Sequence, residues 1–446
     1  MLPACIERRT RRPVAISVAI IGSGPSAFYT ADALVKSGIP CTIDMIERLP
    51  APFGLIRYGV APDHESTRKV SRSFDKTARG GGMTFFGNVE VGRDVSLAEL
   101  RQVYDAVVLA IGAPFDRPLE IPGADKKGVH GSAAFVGWYN GHPDFRNLDP
   151  DLKVKAAAVV GVGNVALDVA RLLVRDRKEL EATDMADYAV EAICASDITD
   201  VYLLGRRGAQ HAAFTIGELR EMGELDQASP VIDAASLPTN FDDVAEEDRR
   251  IRQKMVEMLR GFAGLPQGKP KRVHFRFNCA PKEVLGGDRV EGLRVERMRT
   301  EGGRALGTGE TEDLPVGLVV AAIGYRSPKI EGAQFDEKKG LYPNRGGVIE
   351  PGLYAVGWAM RGPSGVIGSN KIDGQTVAKT IVETLAPGTK PGRPALEELL
   401  AKRGVGLTSY AEWLKLDAAE VARARPGAPR GKFYAVEEML KVIGRG

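Results

Sequence analysis

Val18-Ala-Ile-Ile21 runs into Gly22-Ser-Gly24-Pro-Ser-Ala27 and then into a helical stretch from Phe28 to Lys36 that stops at Gly38. This pattern predicts a buried strand, a tight turn and a helix. A second apolar strand, Cys41-Thr-Ile-Asp-Met-Ile46, ends in Glu47, 23 positions beyond Gly24. Each part suits a dinucleotide. The glycines let the backbone turn and approach a pyrophosphate, the helix N-terminus attracts its charge, and an acid at the next strand end accepts from a ribose hydroxyl.

The unit recurs. Ala156-Ala-Ala-Val-Val160 leads into Gly161-Val-Gly163-Asn-Val-Ala166 and a helix from Leu167 to about Arg175, followed by the strand Val201-Tyr-Leu-Leu204. This second unit ends in Gly205-Arg206-Arg207 instead of an acid. Two guanidiniums there would pair with a phosphate. Glu47 therefore suits an adenosine with a free 2′-hydroxyl, as in FAD, and Arg206 with Arg207 suits NADP.

The fold class expected is α/β, with two Rossmann-like dinucleotide-binding domains. Two further strands ending in glycine, Val107-Val-Leu-Ala-Ile-Gly112 and Val319-Val-Ala-Ala-Ile-Gly324, bracket the second unit. Taken as the crossings between domains, they make the FAD domain discontinuous, with residues 14–113 and 318–446 around an inserted NADP domain at 114–317. Glu246 to Arg260 reads as an amphipathic helix on that insertion, and Leu353-Tyr-Ala-Val-Gly357 as a strand back in the first domain. A Pro/Gly linker from Ala386 to Pro394 precedes helical patterns at Leu396–Lys402 and Ser409–Leu416.

Composition narrows the classes. The chain has 446 residues, enough for about three domain-sized units. Its hydrophobic share of 43% and charged share of 27% exclude collagen-like and disordered chains. With 61 basic and 58 acidic residues the net charge is only +3, which does not call for nucleic acid or a membrane surface as the main partner. Cys5, Cys41, Cys194 and Cys279 are too dispersed for a Cys-x-x-Cys pair, so no zinc knuckle or dithiol centre is expected. No apolar run reaches membrane-spanning length. Met1 to Pro13, with four arginines and no apolar h-region, reads as a basic arm, and a cytoplasmic location is expected.

Four long runs carry a resemblance. Glu47 to His64 (ERLPAPFGLIRYGVAPDH), Gly161 to Arg171, Phe214-Thr-Ile-Gly-Glu-Leu-Arg-Glu221 and Gly357 to Lys371 resemble the adrenodoxin-reductase family of NADPH:ferredoxin reductases, and the likeness covers nearly the whole chain. It implies hydride transfer from NADPH to FAD and single-electron delivery to an iron–sulfur ferredoxin, by a monomer. It carries FAD contacts onto Ser26, Glu47, Leu55, Val91, Trp358 and Gly365-Val366-Ile367. NADP contacts fall on Val162, Gly163, Asn164, Val165, Arg206, Arg207 and Glu218, with Gly365 where the two cofactors meet. His64 with Glu221 is the pair resembling an acid/base couple beside the flavin, suited to orienting nicotinamide and managing a proton.

Two positions depart from the family pattern: Ala209 and His211 stand where a proline and a glutamine are usual. His211 is expected to face solvent. The basic stretch Arg249, Arg250, Arg252 and Lys254 is a candidate docking face for an acidic ferredoxin. Two other readings fit the same motifs. One is an NADPH-dependent flavoprotein with another acceptor, such as a quinone or an enzyme-complex subunit. The other is a flavin-binding interaction protein without turnover, which a diaphorase assay would separate from every enzyme.

Overall fold

The computed structural model describes residues 15–301, 304–386, 388 and 390–445. The basic arm at Met1–Pro13 lies outside them. Ile16–Ile21 is buried along its whole length, as a strand covered on both faces must be. It is the centre of a 6-stranded sheet ordered Val348–Glu350, Leu353–Ala355, Ala106–Leu109, Ile16–Ile21, Cys41–Ile46 and Met83–Phe86. All its pairs are parallel except the first. The helices Pro25–Lys36 and Ser369–Thr384 pack together on one face, so the N-terminal and C-terminal parts of the chain build one layer.

A second 6-stranded sheet, entirely parallel, is ordered Val129–Gly131, Leu318–Ala321, Ala156–Val160, Asp200–Gly205, Lys271–Phe277 and Ala228–Ile232. Here the chain departs from the boundary read in its sequence at 317/318. Leu318–Ala321 belongs to the second sheet, paired with Ala156–Val160.

The glycine turns show why the two similar strands sit in different sheets. Gly22 lies at φ 99°, with its α-carbon so close to the Ala110 carbonyl that a side chain would collide with it. Gly161, at φ 138°, makes the same approach to the Ala322 carbonyl. Each turn thus requires its own strand ending beside it: Ala106–Leu109 for the first and Leu318–Ala321 for the second. The chain crosses between sheets just beyond those strands, where Phe115–Asp116 pairs antiparallel with Tyr325–Arg326.

The antiparallel sheet of Cys279–Leu285, Gly292–Glu301 and Arg304–Leu314 was not anticipated. Its inward residues, among them Leu293, Val295 and Leu314, cover Ala158, Val160 and Val319 of the second sheet. After the linker come Arg393–Lys402, Tyr410–Ala422 and a further helix, Val436–Val442. No helix among the described residues is long and apolar enough to cross a membrane.

Candidate functional site

Both glycine turns feed helices whose first N–H groups have no side-chain cap. Gly24 precedes Pro25–Lys36, Gly163 precedes Asn164–Val174, and each glycine has open space where a β-carbon would stand. Unsatisfied donors, the positive end of a helix and a backbone open to approach suit a pyrophosphate at each turn. Ser26 is buried in the first helical turn, against the backbone of Gly357.

Glu47 extends from the end of its strand back towards the first turn. Its carboxylate accepts from the Ser23 N–H at 3.1 Å, the Ser23 hydroxyl at 2.6 Å and the Leu49 N–H at 3.1 Å. The Val89 N–H donates to the Glu47 carbonyl, which brings the loop carrying Val91 alongside. Leu55 opens the short helix Leu55–Tyr58 after Gly54, whose backbone presses on Gly24.

In the second unit, the Asn164 side chain accepts from the Thr215 N–H at 2.8 Å, and the Val162 carbonyl accepts from the Ala213 N–H at 2.7 Å. These bonds fasten the glycine turn, with Val165 just behind it, to the helix Ile216–Gly223. Arg206 is exposed and Arg207 half-buried beyond Asp200–Gly205, and neither has a carboxylate partner among the described residues. His211 does not face solvent. Its ring is only 11% exposed and bonds Asp243 at 2.8 Å, because the turn Ala209–His211 folds inward on a fully buried Ala209.

Between the units lies a charged cluster. His64 arrives from the first sheet's side at the end of Tyr58-Gly-Val-Ala-Pro-Asp-His64. Glu218 and Glu221 share a face of Ile216–Gly223 by their spacing of three, and Asp168 and Arg171 do so on Asn164–Val174. His64 Nε2 lies 3.0 Å from Glu221, 3.4 Å from Glu218 and 2.8 Å from Arg171 Nη2; Nδ1 lies 3.9 Å from Asp168. The Arg171 guanidinium is fully buried and also bonds Asp63 at 2.8 and 3.0 Å and Asp168 at 2.8 Å.

These contacts set the proton affinities. Burial alone would lower His64, but the Glu221 hydrogen bond and the charges of Asp168 and Asp63 hold it above the ordinary imidazole value, against Arg171. Its hydrogen bond to His64 holds Glu221 below the usual carboxylate range, while burial raises Glu218 and Asp168. Burial also opposes ionisation of Asp63, yet Arg171 and Arg175 hold it at about 2. His64, Asp168 and Glu218 present ligand atoms close enough for a metal ion. Arg171 already supplies the cation these groups need, so the cluster reads as an ion-pair network.

The remaining expected contacts gather on one loop. Trp358 donates to the Ser364 carbonyl at 3.2 Å and stacks on Tyr325. Gly365, Val366 and Ile367 follow at the entrance to Ser369–Thr384, and Val366 is 58% exposed. Beside this loop a cavity of about 570 Å³ is lined by Arg117, Lys338, Lys339 and Arg361. Arg117, Asp63, Asp168 and Arg171 carry no expectation from the sequence. The last two lie within the quoted Gly161–Arg171 run, and a buried Asp and Arg three apart on a helix was the signal available.

The described cysteines, Cys41, Cys194 and Cys279, are free. A family model described as pyridine nucleotide-disulphide oxidoreductase matches residues 16–204. The chain is 43% identical to the mitochondrial NADPH:adrenodoxin oxidoreductase of Homo sapiens, over 96% of this chain and 92% of that one. It is 42% identical to the NADPH-ferredoxin reductase FprA of Mycobacterium tuberculosis, over 95% and 98%. The solved structure of that FprA in complex with NADPH matches with a TM-score of 0.91, covering 96% of this chain and 99% of that chain.

Proposed function

The chain belongs to the family of NADPH:adrenodoxin oxidoreductases and NADPH-ferredoxin reductases, and on that premise we propose how its own residues serve that reaction. It is an FAD-dependent oxidoreductase that takes a hydride from NADPH and passes electrons one at a time to an iron–sulfur ferredoxin. FAD supplies the accessible one- and two-electron states that divide the pair. The observation that carries the assignment of residues is the pairing of an acid-ended unit with an arginine-ended unit, joined at His64.

The first unit holds FAD: the open turn at Gly24 and Ser26 takes the pyrophosphate, and Glu47 turns from Ser23 to a ribose hydroxyl. Leu55, Val91, Trp358 and the run Gly365-Val366-Ile367 line the rest of that site. The second unit holds NADP(H), with Val162, Gly163, Asn164 and Val165 at the phosphates and Arg206 and Arg207 on the 2′-phosphate. Glu218, Glu221 and His64 orient the nicotinamide end and hold a proton at His64 Nε2. Arg250 and Lys254 project from Glu246–Ala263 towards solvent. They are the part of the basic stretch free to meet an acidic ferredoxin, since Arg249 and Arg252 bond the Val244 and Ala212 carbonyls.

The protein acts as a monomer in the cytoplasm, a compartment that suits its free cysteines. Light scattering after size exclusion tests the first statement and fractionation the second. The activity is tested by cytochrome c reduction with NADPH and a panel of ferredoxins. Reduction that depends on an added ferredoxin supports the assignment. Ferricyanide reduction without any ferredoxin-dependent cytochrome c reduction would move the acceptor elsewhere, and neither would leave a protein without turnover.

A further inference from the structure

His64 Nε2 has two partners that cannot both be satisfied. Arg171 Nη2, at 2.8 Å, carries only N–H donors and needs a lone pair on Nε2. Glu221, at 3.0 Å, carries only lone pairs when ionised and needs a proton there. We propose, resting on the functional reading above, that Arg171 is a positioning residue that selects the proton state of His64. Opposite Arg171 the ring is neutral, with its proton on Nδ1 towards Asp168; opposite Glu221 it is protonated at Nε2.

The surroundings support such a balance. Five groups face the ring: Asp63 beside it in sequence, Asp168 and Arg171 from Asn164–Val174, and Glu218 and Glu221 from Ile216–Gly223. Arg175 bonds Asp63, exposed Glu65 follows His64, and the Tyr139 hydroxyl, buried near Asp168 and Asp63, stays protonated. Arg171 is the one cation touching the ring among the described residues. Without it, the four carboxylates would keep His64 protonated. The proton leaving Nε2 has a route through Glu221, whose side chain is 38% exposed.

The test follows the imidazole of His64 in the FAD-loaded protein by ¹H–¹⁵N correlation NMR against pH, with His64→Gln to assign its signals among the five histidines. Removing the cation in Arg171→Gln is expected to raise the His64 midpoint by about 1 to 3 pH units, and removing an anion in Asp168→Asn to lower it. Arg171→Lys, which keeps the charge without the planar fork, falls between wild type and Arg171→Gln. The pH profile of flavin bleaching by NADPH should move with these midpoints.

A purely structural role for Arg171 would change the melting temperature and leave the midpoint in place. If Arg171→Gln does not fold, Arg171→Lys and Asp168→Asn carry the test. A His64 midpoint that stays put, or moves the same way when cation and anion are removed, overturns the proposal. Absence of bleaching in the wild type would instead overturn the functional reading, and the NMR midpoints would still decide the role of Arg171.

Discussion

The proposed role of Arg206 and Arg207 in choosing the nicotinamide dinucleotide rests on their place beyond the strand Asp200–Gly205, where no carboxylate among the described residues neutralises them. A charge-assisted contact to a 2′-phosphate is worth roughly 1.5 to 3 kcal/mol. Arg206→Ala should therefore cut the preference for NADPH over NADH by about one to two decades, read as the ratio of kcat/KM values. An unchanged ratio would remove Arg206 from the 2′-phosphate. At His64, Gln keeps a polar side chain but neither the charge nor the ring. Single-turnover flavin reduction should slow by roughly tenfold to a hundredfold while the oxidised flavin spectrum is retained. Because His64 is held above the ordinary value of about 6.5, the wild-type rate should change along a limb centred above that pH and lose the limb in His64→Gln. These residues are legible from sequence in unequal measure. Glu47 and the arginines announce themselves by position after a glycine turn, a local signal. Arg171 and His64 are 107 positions apart, and only the meeting of two domains makes them neighbours.

At the scale of elements, the helix Tyr410–Ala422 is fastened by a buried ion pair. Arg57 donates to both oxygens of Glu420 at 2.9 and 2.5 Å, with both side chains almost wholly buried. Removing Arg57 leaves the buried Glu420 carboxylate with Arg430, at 3.5 Å, and the Phe433 N–H as its remaining partners. Arg57→Ala should cost about 3 to 5 kcal/mol in chemical denaturation, and a loss under 1 kcal/mol would mean that water reaches Glu420. Lys432 and Arg68 converge on Asp184, linking the chain's last segment, the first domain and the second. Burial wins over pairing for Lys432, lowering it to about 7, whereas two cations win over burial for Asp184, held at about 2. A depressed carboxyl contributes stability above its unfolded value of about 4 that is lost as pH falls towards 2. Asp184→Asn should accordingly flatten the fall in stability between those pH values, and an unaltered acid limb would contradict the pairing. The sequence does not show these pairings, since Glu420 lies 363 positions from Arg57 and no periodicity links them. The antiparallel strands 279–314 escaped for another reason: their outer residues are mostly charged, and their apolar residues are too few to stand out.

For the whole molecule, the two mainly parallel sheets and the nested connection follow from repeating one strand-turn-helix unit. The sequence misleads on which sheet receives Leu318–Ala321, because each unit needs a strand of that kind and the two are nearly identical in pattern. The consequence is that the second domain ends at the ribbon of Phe115–Asp116 and Tyr325–Arg326, and the charged cluster around His64 spans the junction. Electron delivery to a separate acidic protein by charge steering should weaken as salt rises, since exposed charges such as Arg250 and Lys254 are screened beyond about 8 Å at physiological ionic strength. The central claim, that a pair of electrons enters and leaves singly, is tested by counting. NADPH is added anaerobically in limiting amounts to the protein with excess oxidised ferredoxin, and both are followed by absorbance. The account predicts two ferredoxins reduced for each NADPH consumed. NADPH consumption with no ferredoxin reduced would contradict it.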